Sequence, residues 1–330
     1  MLYQLYGLVI ETTEFLPALI PSGDNSTSDI FFRVYLQPAP SVSVKGKVPL
    51  LKPAAGSCYE LAFHDTGYDF IFIKETACVF FRVNMAGTEV SLYLADESLR
   101  YSALALFVTT VMHFLACLHQ RYCLHANVIQ INNKVIAIVG ESGAGKSTLA
   151  TALCISGAEF LADDVAALSL LGRQICVYSG VPHLKVDRQT LNNLNIANLT
   201  NFPVFDDFYS NQLPNGKIYI KNPTLAKPVA STKVGLPLTA IYILQPRNKA
   251  IDTANIKRIT ASAVLPLLVR HTKGREIFGN TDRTKVFQFL AEIARTVPVK
   301  TLECPDTLKS LASVCSSIVS DVESFNELIV

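Results

Sequence analysis

A glycine-rich segment in the middle of the 330-residue chain limits the possible folds more than any other feature. The sequence GESGAGKS at residues 140–147 fits the pattern G-x-x-x-x-G-K-[ST] at every position. The hydrophobic run from Val135 to Val139 predicts a strand before it, and apolar residues after Lys146 follow helical spacing. This strand–loop–helix order predicts a mixed α/β fold with a phosphate-binding loop.

The residue types of the loop suit a bound nucleoside triphosphate. Glycines let consecutive backbone N–H groups point into one concavity, and the positive end of the following helix adds to the field. Lys146 offers a charge to the β- and γ-phosphates, and Ser147 offers a hydroxyl to Mg²⁺. The loop therefore predicts a nucleoside triphosphate and Mg²⁺; ATP is the expected cofactor, and the sequence leaves the choice between ATP and GTP open. The predicted nucleotide-binding residues are Gly140, Glu141, Ser142, Gly143, Ala144, Gly145, Lys146, Ser147 and Thr148.

Two carboxylates and one histidine are candidates to act beside the loop. Asp163 and Asp164 end a predicted strand, where one carboxylate can hold Mg²⁺ and the other can take a proton from an attacking hydroxyl. Adjacent residues of a strand point to opposite faces, so both reach one site only at a strand end or a bulge. His125 opens the strand that leads towards the loop, but spacing alone leaves its role open, because a lone histidine is usually structural.

The stretch HANVIQINNKVIAIVGESGAGKSTLATALCISGAEFLADDVAAL resembles the catalytic core of HPr kinase/phosphorylase. It contains an opening histidine, a G-[ED]-S-G-x-G-K-S loop and an A-D-D strand end. The interval from His125 to Gly140 is fifteen residues, the interval from Gly140 to Asp163 is twenty-three, and both match the family. The resemblance implies the compact phosphate-loop fold shared with phosphoenolpyruvate carboxykinases. It also implies that the catalytic residues are His125, Lys146 and Asp164. Asp164 would be the general base, and His125 would adjust the charge and orientation of Asp164. Ser147 and Asp163 would lie at the metal.

The chain also departs from that family in its second half. The later family signature E-[IV]-R-G-x-G is absent, and the sequence GVPHLKV at 180–186 stands near its expected place. The resemblance therefore does not extend to a second metal-binding carboxylate, to phosphorylase activity or to HPr as the substrate.

The opening YQLYGLVIETTEFLPAL, the tail VPVKTLECP and the length are similar to HPr-kinase-like proteins encoded with peptide biosynthesis genes. These proteins include lasso-peptide kinases that phosphorylate a serine of a precursor peptide. This second resemblance implies a peptide or protein with a serine hydroxyl as the acceptor and allows a homo-oligomer. A small-molecule kinase and a non-catalytic ATP-sensing module remain open alternatives.

Other polar groups are candidates for contact with phosphate or substrate, although each is also an ordinary surface feature. They are Lys185 with His183, Lys217 and Lys221 in NGKIYIKN, the basic cluster Arg270–Arg275, and Asp206 with Asp207.

The residue pattern predicts an α/β (α+β) protein in two parts, a β-rich module over residues 1–95 and a catalytic part over 96–330. The segment from Leu2 to Glu11 alternates like one strand, and the last helix is expected within 306–330. Ser102 to Leu118 predicts a buried helix rather than a membrane span, because hydroxyls and a histidine interrupt its apolar run.

Net charge and cysteine spacing indicate which partners and which cellular compartment to expect. With 29 Lys+Arg against 27 Asp+Glu the net charge is +2, and no basic stripe stands out in the sequence. We therefore expect no nucleic-acid partner. The eight cysteines lack C-x-x-C spacing and the N-terminus lacks the basic and apolar regions of a signal peptide. Both observations predict reduced thiols in a cytoplasmic protein.

Overall fold

The computed structural model describes residues 1–17, 19–23, 26–41, 43–49, 57–74, 77–181, 183–187, 190, 217–221, 234–273 and 280–325. Its described residues divide into two compact units. The first is Met1–Arg121, and the second comprises Tyr122–Lys273 and the described residues from 280 onwards. Sheets and helices occur together, which confirms a mixed α/β protein.

The first unit is built on a mixed sheet of eight strands within its described residues. The strands are β1 (Leu2–Leu5), β2 (Leu8–Thr12), β3 (Ile30–Tyr35), β4 (Gly46–Pro49), β5 (Ser57–His64), β6 (Gly67–Lys74), β7 (Ala77–Asn84) and β8 (Glu89–Leu94). Their order is β1-β2-β3-β8-β7-β6-β5-β4, with β3 parallel to β2 and β8. The prediction of one strand from Leu2 to Glu11 is wrong, because Tyr6 at φ 56° and Gly7 at φ 73° turn the chain into a hairpin.

The apolar segment after this sheet is helical and belongs to the first unit. It contains a 3₁₀ turn (Glu97–Leu99), α1 (Arg100–Leu106), a π-helical turn (Phe107–Val111) and α2 (Met112–Leu118). Phe107 stacks on Phe32 with ring centroids 3.9 Å apart, and Phe114 meets Phe70 edge-on at 5.1 Å. This packing explains why the division between the units falls after the helix, whereas the sequence placed it near residue 95.

The same helical stretch passes a length-and-hydropathy test for a membrane span. Its most apolar window has a mean hydropathy of 1.8, and 61% of that window is buried inside the protein. Buried packing is what the sequence led us to expect of this segment, and the absence of a membrane span stays a prediction.

The second unit contains a mixed sheet of nine strands, counted over the residues described there. They are β9 (Tyr122–Leu124), β10 (Ala126–Ile131), β11 (Lys134–Val139), β12 (Glu159–Ala162), β13 (Ala166–Leu171), β14 (Gln174–Tyr178), β17 (Leu236–Leu244), β18 (Asn255–Arg258) and β19 (Val299–Glu303), while β15 (His183–Asp187) and β16 (Lys217–Lys221) pair separately. The main order is β12-β10-β11-β17-β14-β13-β9, and β19 also pairs with β17. Strands β11, β17 and β19 run parallel.

Helices cover this sheet, and one face carries the largest core. The helices are α3 (Lys146–Ile155), α4 (Ala261–Arg270), α5 (Asn280–Thr296) and α6 (Leu311–Glu323). Alternate residues of β10 and β11, such as Ile129 and Ile138, pack with Leu153 of α3 and Ile318 of α6. Burial of each such side chain contributes about 1.5–3 kcal/mol. Helix α3, which follows the glycine-rich loop, is therefore fixed to the sheet through these apolar contacts.

A polar network attaches α6 to the sheet. The Tyr242 hydroxyl donates to Asp321 at 2.5 Å, and Lys300 Nζ donates to both oxygens of that carboxylate at 2.7 and 2.8 Å. Burial, followed by the hydrogen bond to Asp321 and its charge, raises the pKa of Tyr242, so the phenol stays a donor. The carboxylate depends on both donors because it is largely withdrawn from water.

Replacing Lys300 with Met is expected to lower the free energy of unfolding by about 1–3 kcal/mol, because Asp321 loses its cation inside the protein. Urea unfolding followed by circular dichroism measures the change. Lys257→Met on the neighbouring strand β18 is the matched control, since that lysine is exposed. Equal effects of the two substitutions would contradict the importance of the network.

Candidate functional site

A two-residue turn sets the geometry of the candidate site. Asn132 at φ 47° and Asn133 at φ 64° join β10 to β11 in the left-handed conformation that matches the twist of a hairpin. The pairing runs without a shift to Ala126 opposite Val139. His125 directly precedes this strand pair and Gly140 directly follows it, so the fifteen-residue interval of the sequence spans the hairpin.

The glycine-rich loop lies between β11 and the N-terminus of α3, as the sequence predicts. Gly143 and Gly145 have positive φ values of 81° and 99°, a backbone region that residues with a side chain rarely adopt. Gly145 is also the N-cap of α3, and no side chain caps the helix there. Since Glu141, Ser142 and Gly143 are exposed, the loop offers backbone N–H groups and a helix N-terminus to an anion.

Lys146 turns its charge back into the loop. Its Nζ donates to the carbonyl oxygens of Gly140 at 2.8 Å and Glu141 at 3.1 Å, and to His125 Nε2 at 3.1 Å. The residue is only 7% exposed, and a buried ammonium requires such partners. The positive charge is thereby held on the inner side of the loop.

His125 connects Lys146 with Asp164. Its Nδ1 lies 3.1 Å from the Asp164 carbonyl oxygen and 3.6 Å from the Asp164 Oδ1 atom. Because a carbonyl only accepts, Nδ1 is assigned the proton and Nε2 accepts from Lys146, as in a neutral imidazole. Burial, followed by the charges of Lys273 and Lys146, lowers the pKa of His125 from 6.5 to about 4. The ring is therefore neutral at pH 7.

A β-bulge determines the direction of Asp163. One residue, Leu161, is unmatched between the successive pairs that join β12 to β10. The extra residue reverses the alternation beyond it, and continuing that alternation one residue past the end of β12 at Ala162 assigns Asp163 to the face of Phe160, a member of the core beneath α3. The Asp163 side chain is buried at this position, on the loop side of the sheet.

Asp164 occupies a strained turn directly after the bulge. The Val165 N–H donates to the Asp163 carbonyl oxygen at 2.7 Å, and Asp164 between them has φ 66°. A left-handed γ-turn of this kind is rare and costs about 1–3 kcal/mol. The Asp164 side chain remains 41% exposed. The structure thus has both a strand end and a bulge at this pair of carboxylates, which are the features that let two adjacent carboxylates reach one site.

An arginine that sequence reasoning missed lies against the loop. A Cβ atom on Gly145 would stand 2.9 Å from Arg247 Nη2, and Arg247 Nη1 lies 4.0 Å from Asp306 Oδ1. Arg247 follows β17, whose parallel pairing with β11 brings both C-terminal ends to one edge. Recognition of that pairing is the signal that would have revealed it.

The first residues of the basic cluster also border the loop. Arg270 Nη1 lies 3.6 Å from Glu141 Oε1, in a pair that is largely exposed. The Lys273 N–H donates to the Cys123 carbonyl at 2.9 Å, and the His125 N–H donates to the His271 carbonyl at 2.7 Å. The segment after α4 is thereby paired with the chain that leads into His125.

The remaining candidate residues lie on α3, β15 and β16 or outside the described residues. Thr148 lies in the first turn of α3 with its Oγ1 3.4 Å from Thr190 Oγ1, and His183 is buried on β15. Lys185 lies on β15, and Lys217 and Lys221 lie at the ends of β16, with side chains outside the description. Asp206, Asp207 and Arg275 lie outside the described residues.

The side chains near the loop fit a magnesium–nucleotide pair. Ser147 is half-buried in the first turn of α3, and across the described chain its hydroxyl has no hydrogen-bond partner. The Ser147 hydroxyl and the Asp163 carboxylate are hard oxygen donors of the kind that Mg²⁺ prefers, and Mg²⁺ commonly takes its other ligands from phosphate and water. Lys146, Arg247 and Arg270 supply positive charge for phosphates around the loop.

Comparison with known proteins finds a distant structural likeness. No protein-family model matches the chain, and no curated protein matches it. Among solved structures, the Hpr(Ser) kinase/phosphatase from Coxiella burnetii aligns with a TM-score of 0.33 and 14% identity, covering 61% of this chain and 88% of that one. The contacts around the loop, rather than this likeness, support the function proposed below.

The His125 ring is expected to stay neutral at pH 5.5 and to protonate near pH 4, because burial and two lysine charges oppose a second proton. Nitrogen chemical shifts in an NMR titration measure both the tautomer and the pKa. The unfolded chain takes up this proton near 6.5, so stability falls as the pH drops from 6.5 towards 4. Protonation near pH 6.5 in the folded protein would contradict the assignment.

Proposed function

We propose that the chain is a Mg·ATP-dependent kinase that transfers a phosphoryl group to a serine hydroxyl of a peptide or protein. The single observation that supports this most is the continuous contact from Lys146 through His125 to Asp164. It joins a phosphate-binding charge to a carboxylate in a solvent-accessible position. A simple anion-binding loop has no need of that carboxylate.

Positioning and charge account for most of the catalysis in phosphoryl transfer. The loop N–H groups and the N-terminus of α3 bind the phosphates, and Lys146 spreads the negative charge of the transferred group. Arg247 and Arg270 approach the loop from β17 and α4 and add to the field. Ser147 and Asp163 would hold Mg²⁺, which when bound supplies charge neutralisation of the phosphates.

Asp164 is the group that accepts the proton of the attacking hydroxyl in this proposal. The γ-turn fixes its backbone, and the His125 Nδ1–H donates to its carbonyl oxygen. A neutral His125 leaves the carboxylate free to take a proton, because imidazolium beside it would favour the ionised form more strongly. The partial exposure of Asp164 gives an acceptor access to it.

The acceptor class rests on the resemblance to precursor-peptide kinases. A serine is a primary alcohol of ordinary acidity, so a carboxylate base beside the γ-phosphate suits it. Small alcohols meet the same chemical requirement, and the experiments below separate the two acceptor classes.

Asp164→Asn is expected to lower phosphoryl transfer by about 10²–10⁴-fold, because the general base is lost. Nucleotide affinity should change by less than about threefold, since asparagine tolerates the left-handed backbone and keeps the same shape. Transfer is measured with γ-labelled ATP and peptides or proteins encoded beside the gene, and affinity by calorimetry. Transfer by the variant at the wild-type rate would remove Asp164 from the mechanism.

Lys146→Met is expected to weaken ATP binding by about tenfold or more, because a buried charge that pairs with phosphate is lost. Lys249→Met is the matched control, since Lys249 is exposed in the same unit. Calorimetric titration with ATP and Mg²⁺ measures both. Equal affinities in the two variants would contradict nucleotide binding at this loop.

The acceptor screen separates the alternatives. Transfer to small alcohols with none to serine peptides or proteins would replace the proposal with a small-molecule kinase. Tight binding of Mg·ATP without transfer to any acceptor would favour an ATP-sensing module.

A further inference from the structure

Asn127 carries a buried amide that the fold itself does not use. The residue lies on β10 with 0% exposure, and within the described chain neither Oδ1 nor Nδ2 has a hydrogen-bond partner. An unsatisfied buried polar group costs about 1–3 kcal/mol. The next two residues, Val128 and Ile129, are aliphatic, as is usual in a buried strand. A polar group at position 127 therefore weakens the fold.

The amide lies on the face of the sheet that carries the loop helix. Asn127 and Ile129 share that face, because alternate residues of a regular strand point the same way, and Asn127 pairs with Ile138 of the same core. His125 contacts Lys146 of α3, and Ile129 belongs to the core beneath the same helix. Asn127 is thus the polar residue between the lysine charge and the apolar core.

Asp163 is the nearest predicted metal ligand along the strand pairing. Val128 opposite Ala162 is the last pair that joins β10 to β12, and Asn127 and Asp163 are the residues that follow this pair on the two chains. Opposite residues of antiparallel strands have Cβ atoms about 4.5–5.5 Å apart on the same face. The bulge in β12 is what turns Asp163 to that face.

We propose that Asn127 is a positioning residue for the metal, whose amide hydrogen-bonds to the Asp163 carboxylate and to a water of bound Mg²⁺. This inference rests on the proposed Mg·ATP site. An amide is suited to the task because it donates through Nδ2 and accepts through Oδ1. Mg²⁺ usually keeps several waters, and partners of the direct ligands typically change metal affinity about 10–100-fold. The unpaired amide is then satisfied when the site is filled.

The test substitutes Asn127 with Leu, which has a similar shape and no polar atoms. Two quantities are measured: the unfolding midpoint in urea without ligand, and the Mg²⁺ concentration that half-saturates binding of a fluorescent ATP analogue. We expect the midpoint to stay or rise, because an unsatisfied group is removed, and the half-saturating Mg²⁺ concentration to rise about 10–100-fold. Neither measurement requires phosphoryl transfer.

Two further variants guard against a general packing effect. Ile129→Val changes the same face and should lower the midpoint slightly, by roughly 0.5–1.5 kcal/mol in unfolding free energy, without changing the Mg²⁺ dependence. Asn127→Ser replaces the amide with a smaller polar group, a hydroxyl, and should give an intermediate Mg²⁺ dependence. An unchanged Mg²⁺ dependence in Asn127→Leu, or a lower urea midpoint, would overturn the inference alone. Failure of the wild-type protein to bind the analogue with Mg²⁺ would overturn the proposed function together with it.

Discussion

Backbone pairing in the β10–β11 hairpin is the constraint on which the rest of the candidate site depends. The left-handed turn at Asn132 and Asn133 allows one register, and a shift by a single residue would send every side chain of the strand to the opposite face. The histidine would then leave the lysine, and the isoleucines would leave the core under α3. The same hydrogen bonds that build the sheet therefore set the spacing between a ring nitrogen and an ammonium group.

Much of the local structure could be predicted from residue pattern. The strand into the loop and the helix after it follow from periodicity, and the structure has them at Lys134–Val139 and Lys146–Ile155, whereas the single strand expected from Leu2 to Glu11 is a hairpin. The last helix, expected within 306–330, occupies only the part of that segment from Leu311 to Glu323. Helix ends depend on caps and packing, which periodicity does not report.

The relations between distant segments were harder to predict. The place of Arg247 depends on parallel pairing of β17 with β11, across more than ninety residues, and nothing local in LQPR indicates it. The direction of Asp163 depends on a single extra residue in β12, which a two-residue period cannot foresee. The helical segment after residue 95 joined the first unit through aromatic contacts that belong to tertiary structure. Composition indicated burial for that segment, but not its partner.

Electrostatics links these parts into one arrangement. Burial of the ring, followed by the charges of Lys273 and Lys146, keeps the histidine neutral, and the neutral ring can accept from one neighbour while it donates to the other. Protonation would leave two cations facing each other where one hydrogen bond now stands. Burial and the neighbouring charges thus hold a neutral ring between the ammonium group of Lys146 and the carboxylate of Asp164.

The γ-turn at Asp164 also restricts what evolution can place there. At φ 66° a β-branched or bulky side chain is heavily penalised, and aspartate, asparagine and glycine are the residues that accept such a backbone most readily. Drift at this position therefore has few neutral steps, and the shape-conserving one exchanges a carboxylate for an amide. If Asp164 is the base that we propose, relatives that keep the fold but carry asparagine or glycine at 164 are expected to lack phosphoryl transfer, and this one codon would then separate active from inactive members of a lineage.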